Sequence, residues 1–326
     1  MELKDGRFLV IGGAGFIGSH IVDQLLQEGV SEVRIYDNFA RGTKENIKEA
    51  LKDKRCSVFP LGGDILQTDI LEEAFKGVDG VFHLAALWLL HCHEYPQSAF
   101  ETNIRGSFNV AMKAVAHKTK RVVYSSSASV YGDALFEPMT EDHPYNNQNF
   151  YGATKIASEH IFKSFYHRYG LSFAALRYMN VYGPRQDNKG AYVPVIMKMF
   201  DNLKAGKPPV IFGDGKQAYD FVYVKDVARA NLLAMKSESV GFYNVGTGVR
   251  TTLTDLANAI MDVVGKKMPI EYKTEGGTTG KTFVKNRVGS TEKAEKELGF
   301  KYKYSLRDGL KELLEWKEQE AAKGSQ

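Results

Sequence analysis

Phe8-Leu9-Val10-Ile11-Gly12-Gly13-Ala14-Gly15-Phe16-Ile17-Gly18 is the stretch that decides how this chain folds. Four apolar residues of a buried strand run without a break into glycines and then into a helical pattern over residues 17–28. Gly12, Gly15 and Gly18 keep a G-x-x-G-x-x-G spacing. A strand-to-helix turn this tight needs residues without Cβ, so that backbone N–H groups and the start of the helix can approach a pyrophosphate. The next β-branched run, Glu32–Tyr36, ends at Asp37-Asn38, roughly 20 residues past the glycines, where such folds place a ribose-binding carboxylate. An acid there accepts both ribose hydroxyls of NAD and repels the 2′-phosphate of NADP. NAD is therefore the expected cofactor, with Arg41 the neighbour that argues the other way.

Working outward, β-branched runs at 57–60, 80–84, 121–125 and 171–178 alternate with helical patterns. Such alternation implies βαβ crossovers and a parallel sheet covered on both faces. The expected class is α/β, a Rossmann-type doubly wound parallel sheet with a smaller C-terminal α/β substrate lobe. Gly and Pro punctuation at Gly183-Pro184, Pro208-Pro209 and Gly213–Gly215 loosens the rhythm after residue 178. Residues 1–178 are read as the NAD-binding domain and 179–326 as mainly the substrate lobe. Segments within about 221–250, namely 221–224 and Gly241–Val245, are expected to return to the sheet.

Composition excludes several classes of function. Hydrophobic residues make up 43% and charged residues 25% of the 326, the balance of an ordinary globular chain. A net charge of +4 with interspersed acids gives no basis for a nucleic-acid or membrane partner. Cys56 and Cys92 cannot build a disulfide framework, and Met1–Asp5 leads into the first strand without a signal-peptide pattern, so the cytoplasm is the expected compartment. No apolar run approaches the ~20 residues of a membrane span.

The strand at 121–125 opens into Ser125-Ser126-Ser127-Ala128-Ser129-Val130-Tyr131-Gly132, and Tyr151-Gly152-Ala153-Thr154-Lys155 follows. On a helix Tyr151 and Lys155 lie one turn apart on one face. A phenol with a pKa near ~10 is a poor base at neutral pH. A neighbouring ammonium and a positive nicotinamide ring would favour the phenolate, and a serine hydroxyl would hold the same substrate oxygen. His91-Cys92-His93 lacks further ligands and is read as pocket lining, with no metal site; His83 is read as a packed core residue.

These pieces together resemble the NAD-dependent epimerase/dehydratase family, its UDP-galactose (UDP-glucose) 4-epimerases most of all. Further matches are Gly63-Asp64-Ile65, His83-Leu84-Ala85-Ala86, Asn103-Ile104-Arg105-Gly106, the run from Arg177 to Arg185, and Gly213 through Val224. The resemblance implies catalytic roles for Ser127, Tyr151 and Lys155. It implies cofactor contacts from Gly12, Gly15, Phe16, Ile17, Gly18, Asp37, Asn38, Asp64, Ile65, Leu84, Ala85, Ala86, Asn103, Ser125, Tyr151 and Lys155. Asn180 is expected at the substrate's phosphates. It also implies a homodimer built from two helices per subunit, about 95–117 and 151–169, for which Phe100, Ile104, Phe108, Ile156, Ile161, Phe162 and Phe165 supply apolar surface.

The reaction follows from what stands beside the serine. Dehydratases and decarboxylases of the family carry an acidic residue just before Val-Tyr-Gly, whereas here those positions are Ala128 and Ser129. The expected activity is 4-epimerisation of a nucleoside-diphosphate sugar, UDP first, on tightly bound NAD. A C4 dehydrogenase or reductase would share every site residue, and a non-catalytic NAD-binding scaffold is the reading from another class. The substrate half departs from the family pattern at three places. Tyr219 replaces an arginine that clamps the diphosphate, Glu275–Lys281 replaces an Arg-Pro-Gly-Asp segment, and the loop Leu87–Tyr95 is more apolar and shorter. Either the missing charge comes from other cations, Arg185 first and Arg287 second, with Lys281 and Lys285 as further candidates, or the substrate differs from an ordinary UDP-hexose; Ser127 and Tyr219 complete the expected substrate contacts.

Overall fold

The computed structural model describes residues 1–186, 195–274 and 284–323. Six strands, β1 (Arg7–Ile11), β2 (Glu32–Tyr36), β3 (Cys56–Val58), β4 (Gly80–His83), β5 (Arg121–Ser127) and β6 (Phe173–Tyr178), join Gly241–Val245 in one sheet. Its order is Gly241–Val245, β6, β5, β4, β1, β2, β3, and every neighbouring pair is parallel. Side chains alternate between two apolar cores: Phe8 and Val10 face one, Leu9 and Ile11 the other. A sheet buried on both faces needs such strands apolar throughout, which is how β1 reads. The chain winds away from β1 in both directions, so a crevice opens past the C-terminal ends of β1 and β4, the usual ligand position in such sheets.

Helix α1 (Phe16–Gln27) packs with Val224–Lys236 on one face. The helices Gly106–Ala116 and Phe150–Tyr169 cover the other, where Phe162 is fully buried. Phe162 therefore belongs to the core and not to an outer helix surface. The stretch Pro96–Ala99, Phe100–Arg105 and Gly106–Ala116 is helical throughout, with π-type turns at Phe100–Arg105. Among the described residues no helix is long and apolar enough to cross a membrane.

A third core gathers Val195–Lys204, Leu253–Val264 and Leu306–Lys323 around Met197, Phe200, Ile260 and Leu310. Of the two segments expected back in the sheet, Gly241–Val245 pairs with β6. Phe221–Tyr223 does not return; it pairs with Asn180–Tyr182 in a separate two-stranded sheet. The reason is local: it is three residues long and leads directly into the helix that packs on α1, which keeps it at the seam between the cores. The Glu275–Lys281 segment and Lys281 lie outside the described residues.

One ion pair ties the helix Phe150–Tyr169 to the sheet. Arg177 on β6 and Glu159 on the helix are both fully buried, with Nη2–Oε2 at 2.7 Å and Nε–Oε1 at 2.8 Å. The guanidinium also donates to Tyr131 Oη, Tyr145 Oη and the Glu141 carbonyl, and Ser126 Oγ donates to Glu159 Oε1 at 2.6 Å. Removing one partner of such a pair strands the other charge. Glu159→Ala is expected to cost about 3–5 kcal/mol in urea unfolding; a loss below about 1 kcal/mol, the scale of a surface pair, would show that the network carries little.

Candidate active site

A cleft of about 530 Å³ lies along the C-terminal ends of β1, β2, β4 and β5. Its floor is the glycine turn, and close approach explains the glycines. Gly12 has φ +82°, and a Cβ there would lie 2.9 Å from the Ala85 amide nitrogen. A Cβ on Gly18 would meet Gly12 O at 2.1 Å, and one on Gly63 would meet the Asp37 carbonyl carbon at 2.0 Å. Gly15 is the N-cap of α1, no side chain caps the helix, and its first turn holds no acid. The exposed end of the helix dipole therefore faces the cleft with its N–H groups available to an anion.

At the β2 end, Asp37 Oδ2 accepts the Ala14 amide at 2.9 Å and Oδ1 accepts the Phe39 amide at 2.8 Å. Each carboxylate oxygen keeps a lone pair for a ribose hydroxyl. Burial raises the Asp37 pKa and these two backbone bonds act against it. Asp64 and Ile65 line the same end, where Tyr36 Oη holds the Asp64 carbonyl at 2.8 Å. Gly12, Gly15, Phe16, Ile17, Gly18, Asn38, Leu84, Ala85, Ala86, Ser125, Tyr151 and Lys155 also line the cleft, so all but one of the expected cofactor contacts come together. A glycine floor, an uncapped helix start and a ribose-facing carboxylate fit NAD.

Asn103 is the exception. It is buried and braces the loop after β4, its Oδ1 accepting the Leu87 amide at 2.7 Å and its Nδ2 donating to the Leu87 carbonyl and Thr154 Oγ1. It lies within the π-type turns Phe100–Arg105 and is not among the cleft-lining residues. Gly63, Asn46 and Tyr178 line the cleft without having been singled out as contacts. Gly63 and Tyr178 stand in stretches that match the family, whereas Asn46 is legible only in three dimensions: its Nδ2 donates to the Ala14 carbonyl at 2.9 Å, and Tyr178 Oη pairs with Ser125 Oγ at 2.8 Å. Arg41, read from the sequence as an argument against NAD, stacks on Trp88 across the cleft at 4.5 Å.

The helix Phe150–Tyr169 starts at Asn149, whose Oδ1 accepts the Gly152 amide, and this sets Tyr151 and Lys155 facing β5. Lys155 is buried, and its Nζ donates to the Ser125 carbonyl at 2.7 Å while lying 5.6 Å from the Tyr151 ring. Burial lowers its pKa to about 8. Burial also pushes the Tyr151 phenol up to about 12, the Cys92 thiol adds to this, and a hydrogen bond with Ser127 pulls it back. Ser127 ends β5 and caps the turn Ala128–Val130 through its contacts with Ser129. Tyrosine, lysine and serine thus converge, and with burial the largest influence, the phenol holds its proton at neutral pH.

The expected substrate cations separate. Arg185 lines the cleft beside α1 with φ +67°, and its Nη1 is ion-paired to Asp23 Oδ2 at 2.7 Å, so its charge is already matched. Tyr219 Oη donates to the Val284 carbonyl at 2.7 Å. Arg287 stands directly beside Tyr219 in the register of parallel strands. Its Nε makes no hydrogen bond, burial lowers its pKa, and Tyr219, Asp133 and Tyr151 are the groups that oppose the shift. Asn180 pairs with Phe221 at the seam and, like Ser127, Tyr219 and Arg287, is not among the residues that line the cleft. Asp220, one residue on from Tyr219, is buried and spent on Thr247 and Gly248.

Known proteins match this arrangement over its length. A putative UDP-glucose 4-epimerase of Methanocaldococcus jannaschii is 37% identical over 94% of this chain and 97% of its own. The structure of a UDP-N-acetylglucosamine 4-epimerase from Methanobrevibacter ruminantium, in complex with UDP-N-acetylmuramic acid, superposes with TM-score 0.90 at 34% identity, covering 97% of this chain and 99% of that one. A Thermus thermophilus UDP-glucose 4-epimerase in complex with NAD gives 0.83 at 32%, covering 95% and 98%. UDP-glucuronic acid decarboxylases and dTDP-glucose 4,6-dehydratases are also among the relatives. Residues 8–246 match the model of the NAD dependent epimerase/dehydratase family, and the chain is an NAD-dependent member of that family.

Proposed function

We propose that this protein is a nucleoside-diphosphate-sugar 4-epimerase, with a UDP-hexose as substrate. The observation that carries the reading is which groups line the cleft. Among the described lining residues the carboxylates are Asp37 and Asp64, both at the ribose and adenine end; the reacting end offers Tyr151, Lys155, Ser125 and Ser126. The positions that hold an acid in the family's dehydratases are the buried Ala128 and Ser129. Glu159, close in sequence to Lys155, is locked to Arg177. Eliminating water or handling a C5 carboxylate needs a further acid or base, and none of these residues supplies one. Oxidation and re-reduction at C4 need only one residue that takes and returns a proton.

When bound, NAD supplies the hydride acceptor and donor at C4 and, as the oxidised ring, positive charge beside the phenol. Tyr151 takes the C4-hydroxyl proton as the C4 hydride leaves, and the C–O bond becomes a ketone. Ser127 holds that oxygen by hydrogen bonding. Lys155, fixed on the Ser125 carbonyl, keeps its ammonium beside the phenol. After the 4-keto sugar has turned, C4 regains the hydride on its other face and Tyr151 returns the proton. Atoms and electrons balance with no external reductant. Residues 179–326, apart from segments that return to the first domain, serve mainly as the substrate lobe. Two chains associate through the helices around Phe100, Phe108, Met112, Tyr166 and Tyr169, whose side chains are exposed here.

Two substitutions test this reading. Tyr151→Phe is expected to lose at least about a hundredfold in kcat, the lower range for a proton-transfer residue, while still purifying with NAD. Turnover at the wild-type rate would remove Tyr151 from the chemistry. Because Arg185 is matched by Asp23, the substrate diphosphate falls to Arg287. Arg287→Ala is expected to raise KM about tenfold or more, equivalent to ~1.4 kcal/mol of binding, with Arg185→Ala changing it less. The reverse order in steady-state kinetics would restore Arg185 as the phosphate cation.

A further inference from the structure

Arg41 and Trp88 come from loops on opposite sides of β1: Arg41 follows β2, and Trp88 follows β4. In a sheet ordered β4, β1, β2 those two strands are roughly 10 Å apart, two strand spacings. Between them lie the Gly12–Gly18 turn and the start of α1. The two side chains nevertheless meet, with the guanidinium carbon 4.5 Å over the indole, and both line the cleft. Both residues line the cleft that also holds Asp37 and Asp64 and, beyond them, Tyr151 and Lys155. A dinucleotide bound there would set its pyrophosphate on the helix start, which lies between the two loops.

Trp88 itself is held in place. It is the N-cap of Leu89–Glu94, it packs edge-on against His91 at 5.5 Å, and the loop beneath is tied down by Asn103 through Leu87. Trp88 belongs to the loop that departs from the family pattern. A guanidinium can lay its plane on an aromatic face while its N–H edge meets phosphate oxygens in a bidentate contact, a combination that a lysine could not reproduce.

We propose that Arg41 and Trp88 form a clasp over the cofactor's pyrophosphate that keeps NAD on the protein between turnovers. The guanidinium supplies charge and N–H donors to the phosphates, and the indole fixes the guanidinium. The clasp must open before the dinucleotide can leave. An enzyme that returns its hydride to the same sugar gains from that retention, since a reduced cofactor lost in mid-cycle would strand a keto sugar. The inference rests on NAD and not on which sugar is turned over.

The test is NAD release from the purified holoprotein, chased with excess 1,N6-etheno-NAD and followed by fluorescence without any sugar. Arg41→Ala and Trp88→Ala are each expected to speed release about tenfold or more, a loss of ~1.4 kcal/mol in the bound state. The double variant should be little faster than either single one, because the two residues act as one contact. Trp88→Phe, which keeps an aromatic face and guards against a folding defect, should stay near wild type, and Arg41→Lys should fall with Arg41→Ala. Release within twofold of wild type in both alanine variants overturns the clasp, and so does a double variant whose effect is the product of the two. A protein that releases NAD as predicted but epimerises no sugar would overturn the 4-epimerase reading alone.

Discussion

Everything at the reacting end of the cleft depends on how one face of the helix Phe150–Tyr169 is pinned to the end of β5. Lys155 Nζ reaches the Ser125 carbonyl, Ser126 Oγ reaches Glu159, and Glu159 is paired with Arg177 on the next strand. Three consecutive serines at a strand end are thereby divided among three tasks. Ser125 accepts the lysine, Ser126 anchors the helix through Glu159, and Ser127 is left to face Tyr151. The buried ion pair is weak evidence of net stability, because burying the two charges costs desolvation that their attraction has to offset. Its value is that one arrangement of strand and helix satisfies all its donors.

The same burial that fixes the geometry sets the chemistry. Desolvation raises the tyrosine to about 12 and lowers the lysine to about 8, moving each away from its charged form. A site left in that state would not pull a proton from a sugar at neutral pH. A positively charged nicotinamide ring bound in the cleft would act against the shift on the tyrosine side by favouring the phenolate. Coupling the base to the cofactor's oxidation state suits a cycle in which proton and hydride leave and return together.

The sheet and cofactor end were legible because backbone constraints leave marks in composition. A turn where a Cβ would lie 2.1 Å from a carbonyl oxygen must be glycine, and a strand buried on both faces must be apolar without alternation. The substrate end was harder to read because it is assembled from distant pieces. Arg287 comes beside Tyr219 through pairing of strands far apart in sequence, and no local spacing foretells it. Arg185 looked available in sequence, yet its left-handed backbone turns it onto Asp23 of α1. Asn103 matches the family's pattern in sequence, yet its side-chain amide is spent on the Leu87 backbone, a partner that no local spacing reveals. Phe221–Tyr223 has a strand's composition and pairs outside the main sheet, since pattern specifies a strand but not its partner.

The account's central claim is that hydride leaves C4 and returns to C4 of the same sugar without leaving the protein. The most direct measurement follows a deuterium label. The holoprotein is incubated with UDP-hexoses deuterated at C4, in the presence of excess unlabelled NADH, and the products are analysed by NMR and mass spectrometry. The account predicts a sugar inverted at C4 that keeps its deuterium, with none in the free NADH. A keto sugar released with deuterium in the soluble cofactor pool, or an inverted sugar whose label has washed out, would contradict it.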